Sequence, residues 1–289
     1  MVSVNLAEAT GVPTATGVGD IGDAIEAAIG SAPNNRLLRD RLDSIHAPEQ
    51  LVRFLHRFLH FNDALAARVP FLAGWIHLNP DLFADPDDIE DFCRQRNATI
   101  AAHVAEAAND EYRMAPGRNM VHQRLSQRFF RGVLDFYRVD GDAFDRDHPM
   151  PPAVSTLLRE ARTRFFDDRD AAAVFAGIGF HVGLEFFANE EFNLVDAFLR
   201  ERHPDLVAAL KRDGEAGEDA PYLWLSLHTV VEIGHYRAGI EAVRDAIRYC
   251  RPREAAPRFA RDIMAGLDAF ADLQRRFYQA VLTDSADGV

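Results

Sequence analysis

Apolar residues recur at helical spacing along most of the chain. From Pro48 to Val69, residues Leu51, Phe54, Leu55, Phe58, Leu59 and Phe61 fall at the three- and four-residue intervals of one helix face, and Pro70 marks its end or a kink. The apolar segment 71–77 continues that pattern. Asn79-Pro80-Asp81 and Asp85-Pro86-Asp87 are turn and cap signals that open a helix from about Pro86 to Glu111, and Ala115-Pro116-Gly117 breaks it. The next helix starts near Asn119 and carries His122, Leu125, Phe129, Val133 and Phe136, before a loop rich in Asp, His and Pro over 140–152. Further helices are predicted at 151–166, 169–188, 191–201, 203–212, 221–249 and 256–281, with an acidic, Gly-bearing loop at 213–219. No alternating apolar–polar run lies between hairpin turns, and no repeat is present. The pattern predicts an all-α, single-domain bundle of about eight to ten helices over residues 36–283. A flexible tail is expected over 1–35, within which a short helix near Ile21–Ile29 fits the pattern, and another over 284–289.

Composition narrows the function classes. A net charge of −13 argues against a nucleic-acid groove or an anionic membrane as the main partner. The lone lysine, Lys211, falls beside the acidic loop, which leaves no good candidate for a Schiff-base or phosphate-loop lysine. Cys93 and Cys250 lie far apart, so a thiolate zinc site is excluded and a reduced compartment is expected. No apolar run reads as a membrane span and no leader pattern opens the chain, so the expectation is a cytoplasmic protein.

One stretch carries most of the chemistry. In Leu227-His-Thr-Val-Val-Glu-Ile-Gly-His235, residues His228, Glu232 and His235 stand at i, i+4 and i+7. At about 100° per residue they project from one helix face. Leu225, Val231 and Ile240 share that face, so it should point inward. Burying two imidazoles and a carboxylate together is costly unless they are satisfied, and a metal ion is the commonest partner. Glu232-Ile-Gly-His235 has no second copy in the chain, which weighs against a ferritin-like bundle.

A second carboxylate, Glu185, sits in the apolar run Gly177-Ile-Gly-Phe-His-Val-Gly-Leu-Glu-Phe-Phe187, whose glycines permit close backbone approach. Glu111 ends an Ala-rich helix, and His122 follows the Pro-Gly break on an inward face. Taken singly, Glu111 reads as a surface residue and His122 as a satisfied core histidine.

The order of these residues resembles the heme-oxygenase-like diiron oxidases. In that family one core helix region supplies a Glu and a His, the next a Glu, and the last a His/carboxylate/His trio. The resemblance spans about residues 50–281 and implies metal ligands at Glu111, His122, Glu185, His228, Glu232 and His235. Glu232 stands where the family more often carries Asp. His103, Glu106 and His181 are further candidates for an additional ligand or a substrate contact.

The resemblance implies two iron ions cycling between Fe(II) and Fe(III), with O2 as co-substrate, a small-molecule substrate and an external electron donor. The expected chemistry is N-oxygenation, desaturation or oxidative cleavage of an amine or amino acid in specialised metabolism. A homodimer is compatible with it. Two other readings stand beside it. A metal-free enzyme of the thiaminase-II or PQQ-synthesis type shares the fold but would lack the trio, and a non-catalytic helical scaffold would bind no metal. Heme oxygenase proper would draw its proximal ligand from His56 or His60, leaving the buried carboxylates unexplained.

Overall fold

A computed structural model of the chain describes residues 21–30, 32–85, 87–88, 94–112, 121–165, 171–212 and 220–283, without the side chains of 110–112 and 122. Among the described residues there is no strand, only isolated bridges between Phe83 and Cys250 and between Ala84 and Gln95. The helices are α1 Ile21–Gly30, α2 Asn34–Asp43, α3 Pro48–Ala66, α4 Arg68–His77, α5 Asn97–Tyr112, α6 His122–Tyr137, α7 Gly141–Asp147, α8 Pro152–Thr163, α9 Ala171–Arg202, α10 Pro204–Arg212, α11 Leu223–Tyr249 and α12 Ala256–Ala280. This is an all-α bundle around one apolar core that draws on α1 to α12.

The bundle is built around α9. Residues are buried on all sides of it, as expected of a central helix. By length and composition it would also suffice to cross a membrane, contrary to the reading that no run does, yet its most apolar window is 83% buried inside the bundle. Two expected helices, 169–188 and 191–201, are one. Phe192 and Val195 resume the buried stripe beyond the polar Asn189-Glu190, so tertiary burial overrides the local break.

Helix α9 packs on α12 along one side and on α11 along another, while α11 also meets α5, and α4 covers α5. The α9–α12 approach is backbone to backbone. A Cβ added at Gly179 would lie 1.8 Å from the Ile263 carbonyl oxygen, and one at Gly266 would lie 1.9 Å from that of Ala176. Only glycine allows this crossing.

Four boundaries differ from expectation. The helix expected from about Pro86 opens only at Asn97, after Gln95 has bridged to Ala84. Ile25 of α1 is fully buried, so the packed domain begins before residue 36. Pro70 lies in the first turn of α4 rather than at a kink, where its missing N–H costs no helical bond. The expected loop at 140–152 contains α7, capped by the Asp140 carboxylate, which accepts from the Ala143 N–H at 2.8 Å, and anchored by buried Phe144.

Candidate metal centre

Helices α9 and α11 bring five buried polar side chains together: His181 and Glu185 from the first, His228, Glu232 and His235 from the second. The i+4 and i+7 spacing on α11 puts its trio on the face turned to α9, where α5 and α3 complete the wall. One ligand atom from each of Glu185, Glu232 and His235 lies within 4.8 Å of the others. His235 Nδ1 is 3.4 Å from Glu185 Oε2 and 3.5 Å from Glu232 Oε2. The second oxygen of Glu232, Oε1, faces His228 Nε2 at 3.7 Å. The second oxygen of Glu185, Oε1, faces His181 Nδ1 at 3.2 Å.

His228 is oriented by its own helix. Its Nδ1 lies 2.6 Å from the Trp224 carbonyl, which can only accept, so Nδ1 carries the proton and the Nε2 lone pair points toward Glu232. Phe192 stacks on the ring with centroids 3.9 Å apart. A hydrogen bond from one imidazole nitrogen to a carbonyl, with the other nitrogen turned to a carboxylate-lined site, is how metal-binding histidines are commonly held.

The electrostatics are those of ligands crowded together. Burial first, and the Glu185 charge after it, push the Glu232 carboxyl up to about 8 against the pull of His235. Burial alone would lower His235, but its contacts with Glu185 and Glu232 outweigh that and push it up to about 11. Burial would raise Glu185, yet His181 and then His235 hold it below the usual carboxylate range. Neither ring nitrogen of buried His181 has a well-formed hydrogen bond, since its approach to Glu185 is close but poorly directed. A buried imidazole with only this poorly directed approach to one carboxylate is costly without a further partner.

Together the residues fit a divalent cation. Nitrogen and carboxylate oxygen donors without thiolate suit iron, manganese or zinc. A cavity of about 40 Å³ lies against Glu185, His228, Glu232 and His235, bounded also by Asn62 of α3 and Ala107 of α5. That is room for a few atoms.

No family model, no curated protein and no solved structure matches the chain. What can be said of its chemistry therefore rests on the residues themselves.

The structure joins four of the expected ligands, Glu185, His228, Glu232 and His235, and adds His181 to them. The side chains of Glu111 and His122 lie outside the described residues. His103 and Glu106 do not join the cluster. His103, one turn before Ala107, has its Nε2 3.6 Å from Asp245 on a partly exposed face rather than at the cavity, and Glu106 is exposed.

Other buried polar groups were not singled out from the sequence. Arg68 is buried, donates to the carbonyls of Ala161 at 2.6 Å and of Arg164, and lies 4.3 Å over the Phe180 ring. It shares a small gap with His181, Phe180 and Leu184. Burial, then Arg164, lower its guanidinium to about 9. Glu191 is also buried, accepting from Gln274 at 2.7 Å and from the Tyr278 hydroxyl. A lone charge in an apolar run is the signal Arg68 offers; Glu191, preceded by Asn189 and Glu190, offers none.

Proposed function

We propose that this protein is a non-heme diiron oxidase or oxygenase acting on a small amine or amino acid. The observation that carries the reading is the convergence of Glu185, Glu232 and His235 within 4.8 Å, with the lone pair of His228 turned toward the same carboxylate. Glu232 offers one oxygen toward His228 and the other toward His235, so one carboxylate could serve the donors on both of its sides. In this reading Glu185, His228, Glu232 and His235 hold the metals, Glu111 and His122 complete the set, and His181 is a further ligand. Iron held there would supply the electrons that activate O2.

The chain's own residues do the rest. The Trp224 carbonyl and Phe192 fix the His228 ring, and Leu65, Val69 and Leu184 give the cavity an apolar side. In an oxygenation one oxygen atom enters the product and the other leaves as water, with two electrons and two protons drawn from an external donor. In a desaturation the substrate gives two electrons and the donor two, and both oxygen atoms leave as water.

The test is anaerobic Fe(II) titration of metal-free protein followed by rapid mixing with O2. About two irons per chain and a transient visible band are expected, with His228→Ala and His181→Gln weakening uptake at least tenfold and His103→Ala leaving it unchanged. Absence of saturable iron binding sinks the proposal.

A further inference from the structure

A second group of histidines lies on the outer side of α3. His56 and His60, one turn apart, point their Nε2 atoms at each other across 3.1 Å. His56 Nε2 is also 3.7 Å from Asp145 Oδ1 of α7. Phe130 lies parallel to the His56 ring at 5.2 Å and Phe144 meets it edge-on at 5.2 Å, so that ring is held between α6 and α7. These residues open onto a surface cleft of about 400 Å³, where α8 contributes Arg159 and Arg162 and His148 stands beside Met150. None of the residues lining this cleft lines the buried cavity.

One proton shared between the two facing nitrogens links them as donor and acceptor, and a cation taking that proton's place would meet a lone pair from each ring. Two nitrogens each about 2.1 Å from a zinc-class cation lie roughly 3.0–3.4 Å apart for angles between square and tetrahedral. The separation of His56 and His60 falls in that interval. Histidines at i and i+4 on one helix reach a single ion without backbone rearrangement, because they share a face. Asp145, with 70% of its side chain exposed, has the freedom to close on that ion.

We infer that His56, His60 and Asp145 form a second divalent-metal site of the zinc class, separate from the buried centre, with its remaining position open to the cleft. Two nitrogens and one carboxylate, with no thiolate, suit Zn(II) and its spectroscopic stand-in Co(II). The open position faces a cleft carrying Arg159 and Arg162, whose charge favours an anionic ligand there.

Co(II) titration of metal-free, full-length protein tests this, read by visible d–d absorption and by the equivalents bound, then by competition with Zn(II). A class of Co(II) displaced by a single equivalent of Zn(II), beside whatever binds at the buried centre, is expected in the wild type and is retained in His228→Gln. That class should weaken at least tenfold in His60→Gln and in Asp145→Asn, whose thermal melts, followed in parallel, establish that they fold. Unchanged titrations in both variants overturn the site, and a loss confined to His60→Gln overturns the part assigned to Asp145. A loss in His228→Gln alone would mean that all Co(II) binds at the buried centre, and overturns it equally.

Discussion

A cation entering the buried centre would have to displace protons from its residues. Without metal, His235 is pushed up to about 11 and Glu232 up to about 8, so near neutral pH both carry a proton for most of the time. Binding a cation requires the deprotonated imidazole and carboxylate, so affinity must rise with pH. Each proton released steepens the dependence by about tenfold per pH unit. Mn(II) or anaerobic Fe(II) affinities measured at pH 6, 7 and 8 should therefore tighten by at least tenfold per unit. An affinity that does not change with pH would show that these groups are not the ligands.

At the scale of elements, the contact that positions Glu185 is the α9–α12 crossing. Gly179 and Gly266 each leave no room for a methyl group, and the obstacle in both cases is backbone, which cannot swing aside. Gly179→Ala should destabilise the protein by about 3 kcal/mol or more, since overpacking against backbone exceeds the usual cost of an added methylene. Gly234→Ala is the matched control. Nothing lies within 4 Å of its added Cβ, so helix propensity alone should leave the protein unchanged or more stable by up to about 1 kcal/mol. Urea denaturation of the two variants checks both, and equal effects would refute the close crossing.

A second device joins three helices through polar groups. Asn34 of α2 donates to Gln274 of α12 at 2.8 Å, Gln274 donates to Glu191 of α9, and Tyr278 of α12 donates to the same carboxylate. Burial pushes Glu191 up to about 7 in spite of these donors. Its folded value lies above the ordinary one. Its contribution to stability is therefore complete below the ordinary carboxylate range and is lost as pH rises through 7. The cost above that point is on the order of 3 kcal/mol. Glu191→Gln keeps an acceptor oxygen and removes the charge. Its melting temperature should match the wild type at pH 5 and exceed it by several degrees at pH 8. The same difference at both pH values would rule out the buried charge as the cause.

The whole molecule makes clear which inferences were local and which were not. Helical periodicity is a property of neighbouring residues, so the all-α class and the inward trio of His228, Glu232 and His235 were legible in the chain. The glycines at 177, 179 and 183 announced a close helix contact but not its partner, because Ile263 and Gly266 lie far along the chain. Local polarity at Asn189-Glu190 suggested a break that burial of Phe192 and Val195 overrode. Composition at the N-terminus suggested a tail throughout, whereas Ile25 finds a buried place between α11 and α12.

By itself the sequence determined an all-helical chain, an inward ligand face on α11 and a lone acidic residue in a Gly-rich apolar helix. Each depends only on spacing along one segment. Tertiary structure decided that Glu185 meets that face, that His181 arrives with it, and that His103 and Glu106 turn away. It also decided that His56 and His60 stand at a cleft closed by α7 and α8. Those outcomes depend on which helices touch and at what distance, and helix contacts are set by the fit of side chains distant in sequence.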